Sequence, residues 1–296
     1  MKRRHFVGFS LLFVASCSTT VNQSNRSFSN FAVSEPETLE FAVTDIQGAE
    51  DLKQNYQTFR AVLEEILDKK IEFFPVDNYI AAAVALQSGQ LKLALTEPSE
   101  YVIMRARTNA VPIMAITRPD YHSIIAVPAN SEIKSASQLK GKTIAMWEVG
   151  STSGHLGPTK ILLEAGLNPQ SEFKISMLGK KGLQALKNGE VDALAIGYTR
   201  YKDLLNSDGL SESEFRLIAT GQPLPNDLFV VSSNLSTAVV EKMRARLVKN
   251  QNKLIEALLV GKVNAKYKGA KLLPANDTDY NMIREVYQAI GQGNVL

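Results

Sequence analysis

From residue 39 to about residue 219 short apolar strands alternate with amphipathic stretches of helical length, and that order constrains the fold more than any other feature. Leu39-Glu40-Phe41-Ala42-Val43 alternates as a strand does. Residues 56–69 then set Phe59, Val62, Leu63, Ile66 and Leu67 at helical spacing. Ile71-Glu72-Phe73-Phe74 reads as the next strand and residues 78–87 as the next helix. Strands and helices in alternation imply parallel strands joined by crossover helices, an α/β class. An internal echo adds to this: residues 84–94 align with residues 184–194. In each copy a helix ends at a glycine, Gly89 or Gly189, suited to a left-handed C-terminal position, and a short strand follows at once. The echo reads as two α/β lobes, although helix, glycine and strand in succession is also a common α/β connection.

The amino end has a different character. Lys2-Arg3-Arg4, an apolar run over residues 6–15 broken only by Gly8 and Ser10, and Val14-Ala15-Ser16-Cys17 have the layout of a secretory signal with a small-residue cleavage site. The run is too short to span a bilayer. Arg3-Arg4 also fits a twin-arginine export signal. Val14-Ala15-Ser16-Cys17 resembles the bacterial lipobox, which makes Cys17 the expected lipid-modified first residue of the mature chain and its membrane anchor. An ordinary signal peptide is the alternative. Cys17 is the only cysteine, so the folded part has no internal disulfide and must rely on its core. A composition that is 45% hydrophobic is enough for that. Residues 18–37, rich in Ser, Thr and Asn without periodicity, read as a flexible tether. The formal charge of +3 matches Lys2, Arg3 and Arg4, with no acid before Cys17. The mature chain is therefore near neutral, which gives a nucleic-acid partner no support.

One stretch carries candidate chemistry. Glu148-Val149-Gly150-Ser151-Thr152-Ser153-Gly154-His155-Leu156-Gly157-Pro158 leaves the strand at residues 143–146 and enters a helix that begins between Ser153 and Pro158, where proline is tolerated in a first turn. Ligands of open α/β sheets bind at such carboxyl-end crevices. A helix N-terminus offers free N–H groups and partial positive charge, and the hydroxyls of Ser151, Thr152 and Ser153 add donors, so an oxyanion is the natural guest. Helix capping is the plainer use of the same residues.

That stretch, with Tyr121-His122-Ser123, Leu139-Lys140-Gly141-Lys142, Leu163-Glu164-Ala165-Gly166-Leu167-Asn168-Pro169 and Asn188-Gly189-Glu190-Val191-Asp192, resembles the extracytoplasmic phosphonate, phosphite and phosphate-type binding proteins of ABC transporters over about residues 39–227. The resemblance implies an α/β, two-lobed periplasmic-binding-protein fold of type II, hinged by two crossing strands near residues 121–125 and 221–229. Lobe 1 would be residues 38–122 plus 226–296 and lobe 2 residues 123–225, after a lipoprotein signal at 1–17 and the tether at 18–37. It also implies a protein that is not an enzyme, needs no cofactor or metal, closes on a small phosphorus oxyanion and hands it to an ABC permease and ATPase. Its location would be periplasmic or at the cell surface, anchored through Cys17. The ligand-binding positions carried over are Ser151, Thr152 and Ser153 for the gripping loop, Tyr79 and Tyr121 as donors, and Asp227 as an acceptor from a P–OH proton, with a turn aspartate as its plainer reading. His155 adjoins the loop and is a further candidate contact.

The sequence also departs from the family. Leu178-Gly179-Lys180-Lys181-Gly182 stands where a ligand-binding histidine is usual, Lys92 where an aspartate is usual, and Thr96 where a pocket aromatic often sits. Gly197-Tyr198-Thr199-Arg200 has no acid where an aminoalkylphosphonate binder holds one for the amine, which argues against 2-aminoethylphosphonate. Trp147 and Tyr101 are candidates for the cleft lining or the core. The amphipathic pattern of residues 239–259 is expected to pack on lobe 1. Two other classes stay open: an anchored sensor subunit, and an enzyme on the same fold using Lys180 or Asp227. With two histidines beyond the signal, neither a zinc site nor a triad has the residues it needs.

Overall fold

The computed structural model of the chain describes residues 35–46 and 48–296. The signal, Cys17 and the tether as far as residue 34 lie outside the described residues. No helix among the described residues is long and apolar enough to cross a membrane.

The first run of elements is β1 (Thr38–Val43), α1 (Ala49–Leu67), β2 (Lys70–Phe73), α2 (Tyr79–Ser88), β3 (Leu93–Thr96), α3 (Pro98–Thr108) and β4 (Val111–Ile116). The second is β5 (Ser123–Pro128), β6 (Thr143–Met146), α4 (Gly157–Glu164), β7 (Lys174–Met177), α5 (Gly182–Lys187), β8 (Ala193–Gly197), α6 (Tyr198–Asp208) and β9 (Phe215–Thr220). The chain then returns through β10 (Asp227–Val231), α7 (Thr237–Lys249), α8 (Gln251–Leu258), β11 (Leu272–Pro274) and α9 (Asn281–Ala289).

Two sheets result, a six-stranded one in the order β11-β4-β10-β3-β1-β2 and a five-stranded one in the order β7-β6-β8-β5-β9. Each has the parallel core that the alternation of elements implies, β2-β1-β3 in one and β7-β6-β8 in the other. The parallel order does not extend across the whole of each sheet. β10 runs antiparallel to β3 and β4, and β5 antiparallel to β8 and β9. The cause is connectivity: β5 and β10 enter their sheets directly from the other one, without a crossover helix to turn the chain round. Residues 117–122 and 221–226 make those passages, tied to each other by Gly221 N–H to Ser123 C=O (2.8 Å) and Leu224 N–H to Tyr121 C=O (2.9 Å).

Both faces of each sheet are covered. On the first sheet, α1, α7 and α8 bury Tyr56, Phe59, Leu63, Met243, Leu247 and Leu254 over one face, and α2, α3 and α9 cover the other. The helices of residues 239–259 thus pack on α1, as their amphipathic pattern implies. The echo of residues 84–94 and 184–194 is geometric as well. Gly89 (φ +77°) and Gly189 (φ +74°) both end a helix in the left-handed region, each returning its N–H to a leucine carbonyl, Leu86 or Leu186. A side chain at either position would be strained. The last helix, α9, packs on both α3 and α4. Leu156, from the loop after β6, is fully buried among Tyr101, Tyr280, Ile283 and Tyr287.

Candidate functional site

The segments just past the carboxyl ends of the parallel strands of both sheets face one another, as expected for open α/β sheets. They enclose a cavity of about 580 Å³. Thr44 and Asp45 follow β1, Glu97, Ser99 and Glu100 follow β3, the stretch from Glu148 to Ser151 follows β6, and Thr199 and Arg200 follow β8, with Arg118 and Lys266 also among the lining residues.

The loop after β6 is built on a close approach. A Cβ on Gly154 would stand 2.3 Å from that of Trp147, so only glycine lets the chain fold back there. Trp147 N–H then reaches Gly154 C=O (2.9 Å), and residues Thr152–Leu156 wind into a single π-helical turn before α4 begins. Such turns often mark functional positions. Ser151 caps it, accepting Gly154 N–H at 3.3 Å, and of the three hydroxyl residues it is the one that lines the cavity. Thr152 is fully buried, donates to Ser99 Oγ (3.0 Å) and accepts Ser99 N–H (3.2 Å). That pair joins the loop after β6 of the second sheet to the start of α3 on the first. Ser153 turns away: its Oγ lies against Gly197 and its carbonyl accepts the hydroxyl of Ser123 (2.9 Å). The three hydroxyls therefore do not converge.

His155 is buried at 4% exposure and accepts Gly150 N–H at Nδ1 (3.1 Å). Burial lowers its pKa to about 4, so it is a neutral acceptor bracing the glycine of the loop rather than a residue of the cavity lining. Tyr79 is the first residue of α2, capped by Asn78, whose side chain accepts Ala81 N–H and which itself lines the cavity.

Asp227 and Tyr121 belong to a charged cluster beneath the cavity floor. Asp227 is 1% exposed. Its oxygens receive Tyr267 Oη–H (2.7 Å) and Arg118 Nη1 (3.3 Å), with Lys266 Nζ at 3.4 Å. Burial pushes this carboxyl up, but Arg118, Lys266 and the Tyr267 hydroxyl together hold it below the usual range. It is Arg118 and Lys266 that reach the cavity, while Asp227 fixes them from behind. The ring of Tyr121 supports the Arg118 guanidinium, 3.7 Å away. Burial and the neighbouring Glu97 and Asp227 charges raise the phenol's pKa, outweighing the opposing pull of Arg118, so it stays protonated.

Two further glutamates belong to this wall. Glu97 lies 3.7 Å from both Arg118 and Lys266. Glu100 accepts from Thr44 and Thr96 hydroxyls and from Glu97 N–H (3.4 Å). Burial, with the adjacent Glu97 charge, raises Glu100 to a pKa of about 7, and burial with Asp227 raises Glu97 as well. Near neutral pH this wall therefore holds part of its carboxyl in the neutral, donating form. The signal that could have found it is Thr96-Glu97-Pro98-Ser99-Glu100, a strand-to-helix loop with proline at a first turn and a Glu-x-x-Glu capping pattern, the counterpart in the first sheet of the loop after β6. Lys180 and Lys181 are exposed and outside the cavity lining, and Lys92 pairs with Glu40 away from it.

Comparison with known proteins agrees with this architecture. The family described as "ABC transporter, phosphonate, periplasmic substrate-binding protein" matches residues 41–280. The phosphate-import protein PhnD of Mycolicibacterium smegmatis is 23% identical, over 98% of each chain. Among solved structures, the PhnD1 protein of Prochlorococcus marinus in complex with methylphosphonate superposes with a TM-score of 0.61 at 20% identity, covering 87% of this chain and 100% of that one. A protein of Xanthomonas citri bound to ATP gives 0.69 at 18% identity, covering 87% and 98%.

Proposed function

The chain belongs to the periplasmic phosphonate-binding proteins of ABC transporters, and we propose that it is a lipid-anchored member, held to the membrane through Cys17, that captures a small phosphorus oxyanion and delivers it to an ABC permease. Lobe 1 is then residues 38–122 plus 226–296 and lobe 2 residues 123–225, and the mechanism is closure of the two on the ligand with no chemical step.

The observation that carries this reading is that Ser151, at the mouth of the turn after β6, shares one cavity lining with Arg118, from the passage between the sheets, and Lys266, from the returning chain. Donors from a loop N-terminus on one side and two fixed cations on the other suit an oxyanion held between them. Glu97 and Glu100 supply the acceptor role that the resemblance gave to Asp227. The ionised fraction of this wall accepts from a ligand that keeps a P–OH, and sulfate has no such proton at neutral pH. Phosphate, phosphite and methylphosphonate all meet this description, and similar proteins are named for the first two or solved with the third.

A thermal-shift screen of the soluble chain from Ser18, against these three anions and sulfate, tests it. A ligand at about a hundred times its dissociation constant adds roughly 2.7 kcal/mol, seen as a rise in melting temperature. A rise with at least one phosphorus anion and none with sulfate is expected. An unmoved curve with all three phosphorus anions would refute the reading.

A further inference from the structure

Arg200 makes no sense as a purely structural residue. Among the described residues its one polar or ring contact is the face of Trp147, 4.4 Å from the guanidinium carbon, and its Nη1 is buried without a hydrogen-bond partner. Arg216, whose Nε is likewise unpartnered, differs in that its other nitrogens donate to the carbonyls of Ala129, Ser131 and Ile133. Arg200 donates to none. It is moreover the third residue of α6, in the first turn, where the helix dipole opposes a cation. Glu148 and Asp203 line the same cavity, but both are exposed and neither is ion-paired to it. A half-buried cation with a buried, unpartnered nitrogen, no ion pair and an opposing helix dipole is disfavoured on each count, and an anion in the cavity relieves all three.

The position is also fixed. Trp147 begins the segment that carries Ser151, and its Cβ is locked by Gly154, so the ring that seats Arg200 and the loop that presents Ser151 are one rigid piece of chain. The cavity of about 580 Å³ is far roomier than a bare phosphate ion needs, and Arg200 and Ser151 share its lining.

We propose that the ligand of this chain is an organophosphonate or phosphate ester whose substituent carries a second anionic group, a carboxylate or a second phosphoryl, and that Arg200, seated on Trp147, binds that group while the Ser151 loop holds the first. The proposal rests on the oxyanion reading above and narrows it to a doubly anionic ligand. It also agrees with the argument against an amine-bearing phosphonate, since a guanidinium stands in this wall.

The test compares methylphosphonate, phosphonoacetate and 2-aminoethylphosphonate by calorimetric titration of the soluble chain and of Arg200→Gln and Arg200→Lys, each checked for an unchanged circular dichroism spectrum. A charge-assisted hydrogen bond predicts that phosphonoacetate binds wild type roughly ten- to a hundredfold more tightly than methylphosphonate. That ratio falls towards one in Arg200→Gln and is partly kept in Arg200→Lys, and 2-aminoethylphosphonate is the weakest of the three. Trp147 is the only tryptophan, so its emission shifts with phosphonoacetate and not with methylphosphonate as a second negative charge is bound at the guanidinium on its face. Methylphosphonate binding as tightly as phosphonoacetate, or a ratio unaltered in Arg200→Gln, overturns the proposal and leaves the oxyanion reading standing. Binding of none of the three overturns this proposal, and the oxyanion reading falls with it only if phosphate and phosphite also leave the melting curve unmoved.

Discussion

Replacing Glu100 with glutamine should stabilise the protein at neutral and alkaline pH and leave it little changed in acid. Glu100 has a folded-state pKa of about 7 against an ordinary glutamate value of 4.5, raised by burial first and by the Glu97 charge second. A carboxyl whose pKa is raised on folding favours the folded state fully below its unfolded pKa, and that advantage is lost as pH rises through the folded one. Between about pH 4.5 and 7 the unfolded chain gives up the proton while the folded chain keeps it, so stability declines across that window. At about 1.4 kcal/mol per pH unit, the difference amounts to about 3 kcal/mol once both states are ionised. Glutamine has no proton to lose, and its carbonyl oxygen can still accept from Thr44, Thr96 and the Glu97 N–H. Urea unfolding of both proteins from pH 4 to pH 8 isolates the group together with its coupling to Glu97, because titrations elsewhere cancel in the difference. The stability of the variant minus that of wild type should be near zero at pH 4 and climb by about 3 kcal/mol by pH 8. A difference that stays flat with pH would show that Glu100 titrates as an ordinary carboxylate, and the argument for a partly neutral wall in the cavity would fail with it.

The other expectations follow from the same contacts. Asp227→Asn leaves Arg118 and Lys266 without their shared buried carboxylate and should lower unfolding stability by about 3–5 kcal/mol; a loss under about 1 kcal/mol would mean the cluster does not depend on it. Nuclear magnetic resonance titration should find His155 neutral down to a pKa of about 4, with stability fully present above the ordinary histidine pKa of about 6.5 and falling as pH drops towards 4, whereas a midpoint near 6.5 would remove its bracing role. Thr152→Val keeps the shape but removes the hydroxyl bonded to Ser99, worth about 1 kcal/mol. Small-angle scattering of the unliganded variant should report a larger radius of gyration, and superposable curves would show that this bond does not hold the two sides together.

Much of the fold was legible because α/β order is written locally. Each strand of the parallel cores and the glycine at the end of each echoed helix depend on residues within a few positions. Thr143, Ile144, Ala145 and Met146 form β6 as their pattern implies. The antiparallel strands were not legible, since β5 and β10 take their direction from which sheet they enter, a fact of connectivity that period-two patterning does not carry. The site divides in the same way. Ser151 and its loop could be found from one contiguous motif, but the cluster of Glu97, Arg118, Asp227 and Lys266 draws on four distant stretches that meet only when β10 inserts between β3 and β4. Thr152 and Ser153 follow Ser151 at once, yet the π-helical turn rotates one towards Ser99 and the other towards Gly197, a geometry fixed by the contact of Gly154 with Trp147.

The most direct measurement is a crystal structure of the soluble chain grown with the tightest-binding of phosphate, phosphite and methylphosphonate. The phosphorus oxygens should lie between the two sheets, within hydrogen-bond distance of Ser151 Oγ on one side and of Arg118 or Lys266 on the other. An anion bound outside that cavity, or an empty cavity at saturating concentration of all three, would contradict the account.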